Sequence, residues 1–448
     1  MPVCPIDTGR YGSKEMRSLF EEDSRLQRLM DVEVALAETL AELGEIPADA
    51  AREIRVKATT KIVTPEKVKE KEKKTHHDIM AMVDVLAEEC GECGEYVHWG
   101  ATSYDIVDTS WALIMRDAVA ILEKRLAALR DMLCDLAINY KGLILVGRTH
   151  GQHALPITFG FKMAVYAAES GRNLKRLKEL KTRLLVGKMS GAVGTMASQG
   201  AKAFEIEVRV MEKLGIKPAE ITTQVICRDR LAEFVCWAAV TASSLDRIST
   251  EIRNLQRTEI MEVAEGFEAG SQVGSSTMPH KQNPIDSEKV SGLAKIMRGM
   301  VIPALENIPL WHERDLTDSS SERFEVPLTF IITDEMLVTL TKVLKNLRVF
   351  PENMRRNLDI TKGAILSEAV MMALARKGLG RQRAHEVMRS ISIKSFEDRV
   401  SLRDALYGDK VIAEYLTRNE INEITSPREY LGMASALIDR AVEYARSA

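Results

Sequence analysis

Disulfides, membrane spans and a surplus of positive charge are all missing from this chain. Its six cysteines (Cys4, Cys90, Cys93, Cys134, Cys227 and Cys236) are sparse for 448 residues and mostly scattered. That pattern argues against a disulfide framework and for buried free thiols in a reducing, cytoplasmic setting. The longest mostly apolar stretch, near 231–242, falls short of the roughly 20 residues that a membrane-spanning helix needs. The opening Met-Pro-Val-Cys-Pro-Ile-Asp does not set a basic region before an apolar one, so no secretory signal is expected. Lys plus Arg (62) nearly balance Asp plus Glu (65), for a net charge of -3. A nucleic-acid binder with a broad basic face is thereby disfavoured, and an anionic ligand must be held by a few placed cations.

Several chemical signatures are missing too. The chain has no Walker sequence, no EF-hand loop and no H-E-x-x-H, and Gly191-Ala-Val-Gly194 is too short for a dinucleotide fingerprint. Cys90 and Cys93 form a lone C-x-x-C near His98; without a second pair they read as thiols rather than zinc ligands. No metal and no organic cofactor is expected.

What is present is helical periodicity. Leu122, Leu126, Leu129, Leu133 and Leu136 recur at steps of 4, 3, 4 and 3, which puts them on one helix face. Leu231, Val235, Ala238, Ala242, Leu245, Ile248, Ile252 and Leu255 repeat the pattern, with small residues that allow close helix packing. Thr64-Pro65 and Ser426-Pro427 pair a capping hydroxyl with a proline at a first helical position, and Glu429 stands where a capping box needs it. Alternating strand patterns are few. The expectation is an all-α fold: an N-terminal helical domain (1–103), an elongated central bundle of long helices (104–350) and a C-terminal helical domain (351–448). Apolar helix faces on such a bundle call for partners, so an oligomer is expected.

The candidate chemistry lies in polar and glycine-rich stretches. Seven of eight histidines fall there: His76, His77, His98, His150, His153, His280 and His312. Any one of them could simply cap a helix or bond a carbonyl. As a set they supply acids, bases and donors that titrate near neutral pH. Gly274 to Pro284 combines glycine, Ser275, Ser276, Lys281 and Asn283, a composition able to bring backbone N–H groups around an anion or to form a surface loop. Arg314 and Arg323 flank a run of hydroxyls that includes Ser319 and Ser320, and arginine forks suit carboxylate or phosphate.

These residues carry a resemblance. Gly274-Ser-Ser-Thr-Met-Pro-His-Lys-Gln-Asn-Pro284 resembles the signature loop of the fumarase/aspartase superfamily, and Gly147-Arg-Thr-His-Gly-Gln-His-Ala154 resembles its histidine motif. Within that superfamily the chain is most similar to the adenylosuccinate lyase family. The further likeness is carried by Arg10-Tyr11, Thr75-His-His-Asp78, His98-Trp-Gly-Ala-Thr-Ser-Tyr-Asp105 and Trp311-His-Glu-Arg-Asp315 with Ser319, Ser320 and Arg323. Two positions depart from the family pattern: His76 stands where Arg is common, and Gln282 where Lys is frequent. The second is expected to be neutral, because it falls between two functional side chains.

The resemblance implies a fumarase-like all-α fold and a β-elimination that releases fumarate from adenylosuccinate, giving AMP. It also implies the same cleavage of the succinylated carboxamide ribotide SAICAR, giving AICAR. It implies Ser275 as base, His150 as acid, Glu288 as the partner of His150, and His77 in the catalytic set. Substrate contacts are implied for Arg10, Tyr11, His76, Asp78, His98, Thr102, Ser103, Gln224, Ser276, Lys281, Asn283, Arg314, Ser319, Ser320 and Arg323. It further implies a homotetramer in which three subunits build each site, acting on a small-molecule nucleotide without nucleic acid or membrane. The rivals are a sister enzyme such as argininosuccinate lyase, aspartase or carboxymuconate cycloisomerase, and a non-catalytic helical scaffold.

Overall fold

A computed structural model describes residues 4–266, 277–278 and 280–448. The fold is all-α, and among the described residues its strands form three two-stranded sheets. The helices that matter for the site are α1 (Glu22–Glu42), α2 (Pro65–Thr75), α3 (Asp78–Cys90), α4 (Ser103–Asn139), α5 (Phe159–Leu184), α6 (Asp229–Leu255), α7 (Ile285–Gly299), α8 (Thr317–Lys345) and α9 (Pro351–Asp359). Strands β1 (Ile144–Thr149) and β2 (Gln152–Thr158) form an antiparallel hairpin between α4 and α5 in sequence. Among the described residues, no helix is long and apolar enough to cross a membrane.

The periodic runs become buried faces. Leu122, Leu126, Leu129 and Leu133 of α4 are fully buried, while Leu136 is half-buried. In α6, Val235 through Leu255 of the predicted stripe are buried and only Leu231 is partly exposed. Each fully buried leucine contributes about 1.5–3 kcal/mol, so these stripes make the helices cohere although helix propensity alone is weak.

The chain divides into two compact units. Unit 1 takes 1–126, 173–243 and 292–338; unit 2 takes 127–172, 244–291 and 339–448. In unit 1, Leu26, Met30, Leu36 and Leu40 of α1 pack with Ile54, Val63, Met82, Leu86, Ile206 and Val210. The buried rings of Phe234 and Phe330 stack at 4.3 Å. In unit 2, Val146 of the hairpin packs with Leu358, Ile365 and Leu366, and Val370, Leu374, Met388, Leu402 and Leu406 form a further cluster.

The two start signals fare differently. Thr64 caps α2 as expected, its Oγ1 accepting the Lys67 N–H at 3.4 Å. Ser426 opens only a single 3-10 turn, Pro427–Tyr430, and its side chain makes no cap. Gly432 follows at φ 53, and the terminal helix begins at Ala434. The Glu429 N–H that a capping box would give to the Ser426 side chain is instead donated to the Ser426 carbonyl at 3.1 Å. All six cysteines are free, but of the thiols expected to be buried only Cys90 and Cys134 are, and Cys227 is exposed. Burial pushes the Cys90 thiol up to about 11, a protonated and inert state at neutral pH.

Candidate active site

Unit 1 contains a cavity of about 470 Å³ lined from α1, α2, α3, the first turns of α4, the segment that leads into α8 and the start of α8 itself. The turn between α2 and α3 sets its first wall. His76 closes α2 in the left-handed conformation, at φ 52. His77 then caps α3, its Nδ1 accepting the Met80 N–H at 3.3 Å. With Nδ1 an acceptor, the neutral ring carries its proton on Nε2, which is left to donate to an anion. The helix cap and the donor are thus the same imidazole.

The opposite wall is cationic. Arg323 Nη2 donates to Asp78 Oδ2 at 2.9 Å. The Arg314 guanidinium lies 3.7 Å from the centre of the Tyr104 ring, and its Nη1 donates to Gln224 Oε1 at 3.4 Å. The Tyr104 hydroxyl bonds to Ser319, and burial pushes its pKa up. Arg25 stands over the Trp111 ring at 5.0 Å. Burial, followed by the nearby Arg323 charge, lowers its pKa from the usual arginine value. Three guanidiniums with the hydroxyls of Ser103 and Ser319 suit a ligand bearing several negative charges.

The loop before α4 is tied down from below. Asp105 accepts the N–H groups of Thr102 at 2.8 Å, Ser190 at 2.9 Å and Gly191 at 3.1 Å. The fully buried Lys188 ammonium pairs with the same carboxylate. His98 sits at φ 60 with Nδ1 2.7 Å from the buried Glu33 carboxylate. Burial opposes its charged form, but Glu33 outweighs burial and the His98 pKa is raised.

Unit 2 carries His150. Strands β1 and β2 pair Thr149 with Gln152, so His150 and Gly151 are the two loop residues, at φ 53 and 75. Two positive φ values define a type I′ turn, which favours glycine and asparagine. His150 is exposed at the tip. The hairpin is anchored by Arg148, whose Nη1 and Nη2 donate to the fully buried Glu262 carboxylate at 2.9 and 2.7 Å; Asn357 Nδ2 donates to Glu262 at 2.8 Å. At Gly147 a side chain would strike the Leu155 carbonyl at 2.8 Å, so the bulge beside Arg148 requires glycine. Burial, then Arg148, lowers the His153 pKa.

The flanks of the signature loop are also in unit 2. Glu265 accepts from the Ser287 and Asp286 N–H groups at 2.7 and 3.3 Å, capping α7. Gln256 and Arg348 each reach both flanks. Gln256 accepts the Glu265 N–H at 2.9 Å and donates to the Gln282 carbonyl at 3.0 Å. Arg348 donates to the Glu265 carbonyl at 3.1 Å and to Gln282 Oε1 at 2.6 Å. Gln282, expected to be neutral, is therefore engaged.

Of the residues singled out in sequence, His76, His77, Asp78, Ser103, Arg314, Ser319 and Arg323 line the one cavity, with Gln224 joined through Arg314. Thr102, His98, Ser320, Arg10 and Tyr11 are in unit 1 but outside its lining. The residues after Arg10 and Tyr11 dock on α8, Gly12 and Ser13 donating to Glu335 and Asp334 at 2.9 and 3.0 Å. His150, Lys281, Asn283 and Glu288 belong to unit 2. Lys281 and Glu288 are exposed, and Asn283 is half-buried. Ser275 and Ser276 lie outside the described residues. Sequence reading missed Arg25, Trp111 and Tyr104 as lining residues; only Tyr104, inside the 98–105 motif, carried any signal.

Comparison with known proteins places this architecture. The sequence model described as Lyase matches residues 9–299, and the one described as Adenylosuccinate lyase C-terminus matches residues 363–441. The chain is 53% identical to an adenylosuccinate lyase of Pyrococcus abyssi over 444 residues, covering 99% of this chain and 98% of that one. It is 48% identical to one of Methanocaldococcus jannaschii, covering 99% and 96%. Among solved structures, a fumarate lyase from Mesorhizobium sp. BNC1 superposes with a TM-score of 0.90 at 34% identity, covering 99% and 100%. A 3-carboxy-cis,cis-muconate lactonizing enzyme from Pseudomonas putida gives 0.91 at 31%, covering 99% of each. The helical scaffold with its signature and histidine motifs is that of a lyase of the fumarase/aspartase superfamily. Within it, the chain belongs to the adenylosuccinate lyase family.

Proposed function

We propose that this enzyme eliminates fumarate from adenylosuccinate to give AMP, and from SAICAR to give AICAR, in purine nucleotide synthesis. The observation that carries this is the unit 1 cavity, where arginines, serines and His77 from three separate motifs converge. It matches a substrate bearing two carboxylates and a phosphate. High identity to adenylosuccinate lyases across the chain supports the nucleotide substrate over an argininosuccinate or carboxymuconate one.

In the proposed mechanism Ser275, as an alkoxide, removes a proton from the succinyl carbon next to one carboxylate. Negative charge develops on that carboxylate as an enolate-like dianion. The carbon–nitrogen bond then breaks, its electron pair goes to nitrogen, and His150 protonates that nitrogen. Serine is a usable base only in a dry site with donors around its oxygen. Backbone N–H groups of the signature loop, Lys281 and Asn283 are assigned to stabilise the developing charge. Glu288 is assigned to hold His150 oriented, and Ser276, Ser320, His98, Thr102, Arg10 and Tyr11 to complete substrate binding.

A homotetramer with shared sites, in the cytoplasm, belongs to the same proposal. It would account for motifs being spread from Arg10 to Arg323. Incubation with adenylosuccinate while following absorbance, with fumarate measured in parallel, tests the function. AMP and fumarate are expected in equal amounts. Turnover of argininosuccinate instead, or none of any succinylated substrate, would replace it with a sister enzyme or a scaffold.

A further inference from the structure

Arg25 differs from the other cations of the cavity in its counter-ions. It is half-buried on α1, with its guanidinium over the Trp111 ring of α4 at 5.0 Å. The charges that bear on it are Arg323, Asp78 and Glu22; Glu72 of the same lining is not among them. Both of those carboxylates are held by other cations. Asp78 Oδ2 accepts from Arg323 Nη2 at 2.9 Å, and Glu22 pairs with Lys69. Among the described residues, no carboxylate is within ion-pair distance of the Arg25 guanidinium, and no hydrogen bond uses its donors. Three cations, Arg25, Lys69 and Arg323, thus stand against two carboxylates, Asp78 and Glu22, which leaves one positive charge in excess. A half-buried cation without a counter-ion is costly, and a bound anion recovers that cost.

The setting also fits one kind of anion. A guanidinium over an aromatic ring keeps its N–H edge for two oxygens of a single group. A phosphate monoester carries close to two negative charges at neutral pH where a carboxylate carries one, and Arg25 and Arg323 are two guanidiniums near enough to repel each other. The groups assigned to bond breaking, His150, Lys281 and Asn283, come from unit 2, and none is in this lining. The end of the substrate that matches Arg25 is therefore the one that does not react.

We infer that Arg25 contacts the substrate directly and, together with Arg323, binds its phosphate. The identity of the ligand rests on the proposed lyase reaction; the phosphate site itself does not. The Trp111 ring beneath the guanidinium makes occupancy of that site visible without turnover.

Two measurements separate these levels. The first is titration with inorganic phosphate at constant ionic strength, followed by tryptophan fluorescence, with Trp111→Phe identifying the part of the signal that belongs to Trp111. A saturable change is expected in the wild type, with roughly 10–100-fold weaker binding in Arg25→Gln, the range for one hydrogen bond between charged groups. No saturable change in the wild type, or equal affinity in both proteins, would overturn the inference. The second measurement is inhibition of adenylosuccinate cleavage by each product. In Arg25→Gln the inhibition constant of AMP is expected to rise together with KM, while that of fumarate and kcat stay within about twofold, the signature of lost uniform binding. A rise for fumarate in place of AMP, or a loss in kcat alone, would put Arg25 on a reacting carboxylate and overturn the phosphate assignment. Should Arg25→Gln fail to fold, Arg25→Lys keeps the charge without the planar fork and is expected to weaken phosphate binding by a smaller factor; affinity equal to wild type would contradict the two-oxygen contact. Should phosphate binding depend on Arg25 while no succinylated substrate turns over, the functional proposal fails and the phosphate site stands. Normal turnover with phosphate binding that ignores Arg25 has the opposite meaning.

Discussion

Four histidines, His76, His98, His150 and His312, adopt positive φ, a conformation that costs a non-glycine residue of order 1–3 kcal/mol. All four lie in stretches that carry the family likeness, and three of them, His76, His98 and His150, have assigned roles, so strain is stored where chemistry is assigned. For His150 the consequence is testable. Asparagine tolerates both positions of a type I′ turn better than histidine, so His150→Asn is expected to gain about 1 kcal/mol of stability and to lose roughly 10²–10⁴-fold in kcat as the acid disappears. Denaturant melts beside absorbance kinetics give both values. Retained turnover would exclude His150 as the acid. The His98–Glu33 pair makes a second prediction. Its folded pKa is raised, so its contribution to stability is full below the unfolded value of about 6.5 and is lost as pH rises through the folded value. Thermal melts of Glu33→Gln should fall below wild type at pH 6 and approach it at pH 9. At this scale much of the site was legible: glycine-rich and polar stretches exposed the histidines, and arginines flanking hydroxyls exposed Arg314 and Arg323. Glu33 was not, because it lies 65 residues from His98 along the chain and nothing local marks it. His77 serves as a helix cap through Nδ1, which leaves Nε2 available to the proposed ligand.

At the scale of elements, hydrophobic spacing was the most readable feature. The stripes of α4 and α6 are buried where three- and four-residue steps put them. The turn at Ser426 was less readable, because the Glu429 N–H is taken by the Ser426 backbone carbonyl, which no side-chain pattern marks. The flanks of the signature loop show what pattern leaves out. Gln256 and Arg348 join Glu265 to Gln282, and such a bridge has no signature in sequence. Gln282→Lys would face Arg348 with like charge, and is expected to lower stability by about 0.5 kcal/mol. High salt should recover most of the loss, because exposed charges are screened. A melting temperature unchanged at low salt would mean that the Gln282–Arg348 contact carries no weight.

On the scale of the whole molecule, each compact unit is assembled from three stretches of chain, an arrangement that local composition does not reveal. Family membership was legible long before that arrangement, because two long motifs specify it. The proposed elimination assigns anion binding to the cationic cavity and nitrogen protonation to His150. Ser275 is the proposed base, and its removal is the most direct probe. Adenylosuccinate turnover should be followed by absorbance in wild type and in Ser275→Ala, with oligomeric state and melting temperature measured on the same samples. Ser275→Ala is expected to lose roughly 10³-fold in kcat, within the range for general base catalysis, with assembly and stability kept. A variant that cleaves adenylosuccinate at near the wild-type rate would contradict proton abstraction by Ser275.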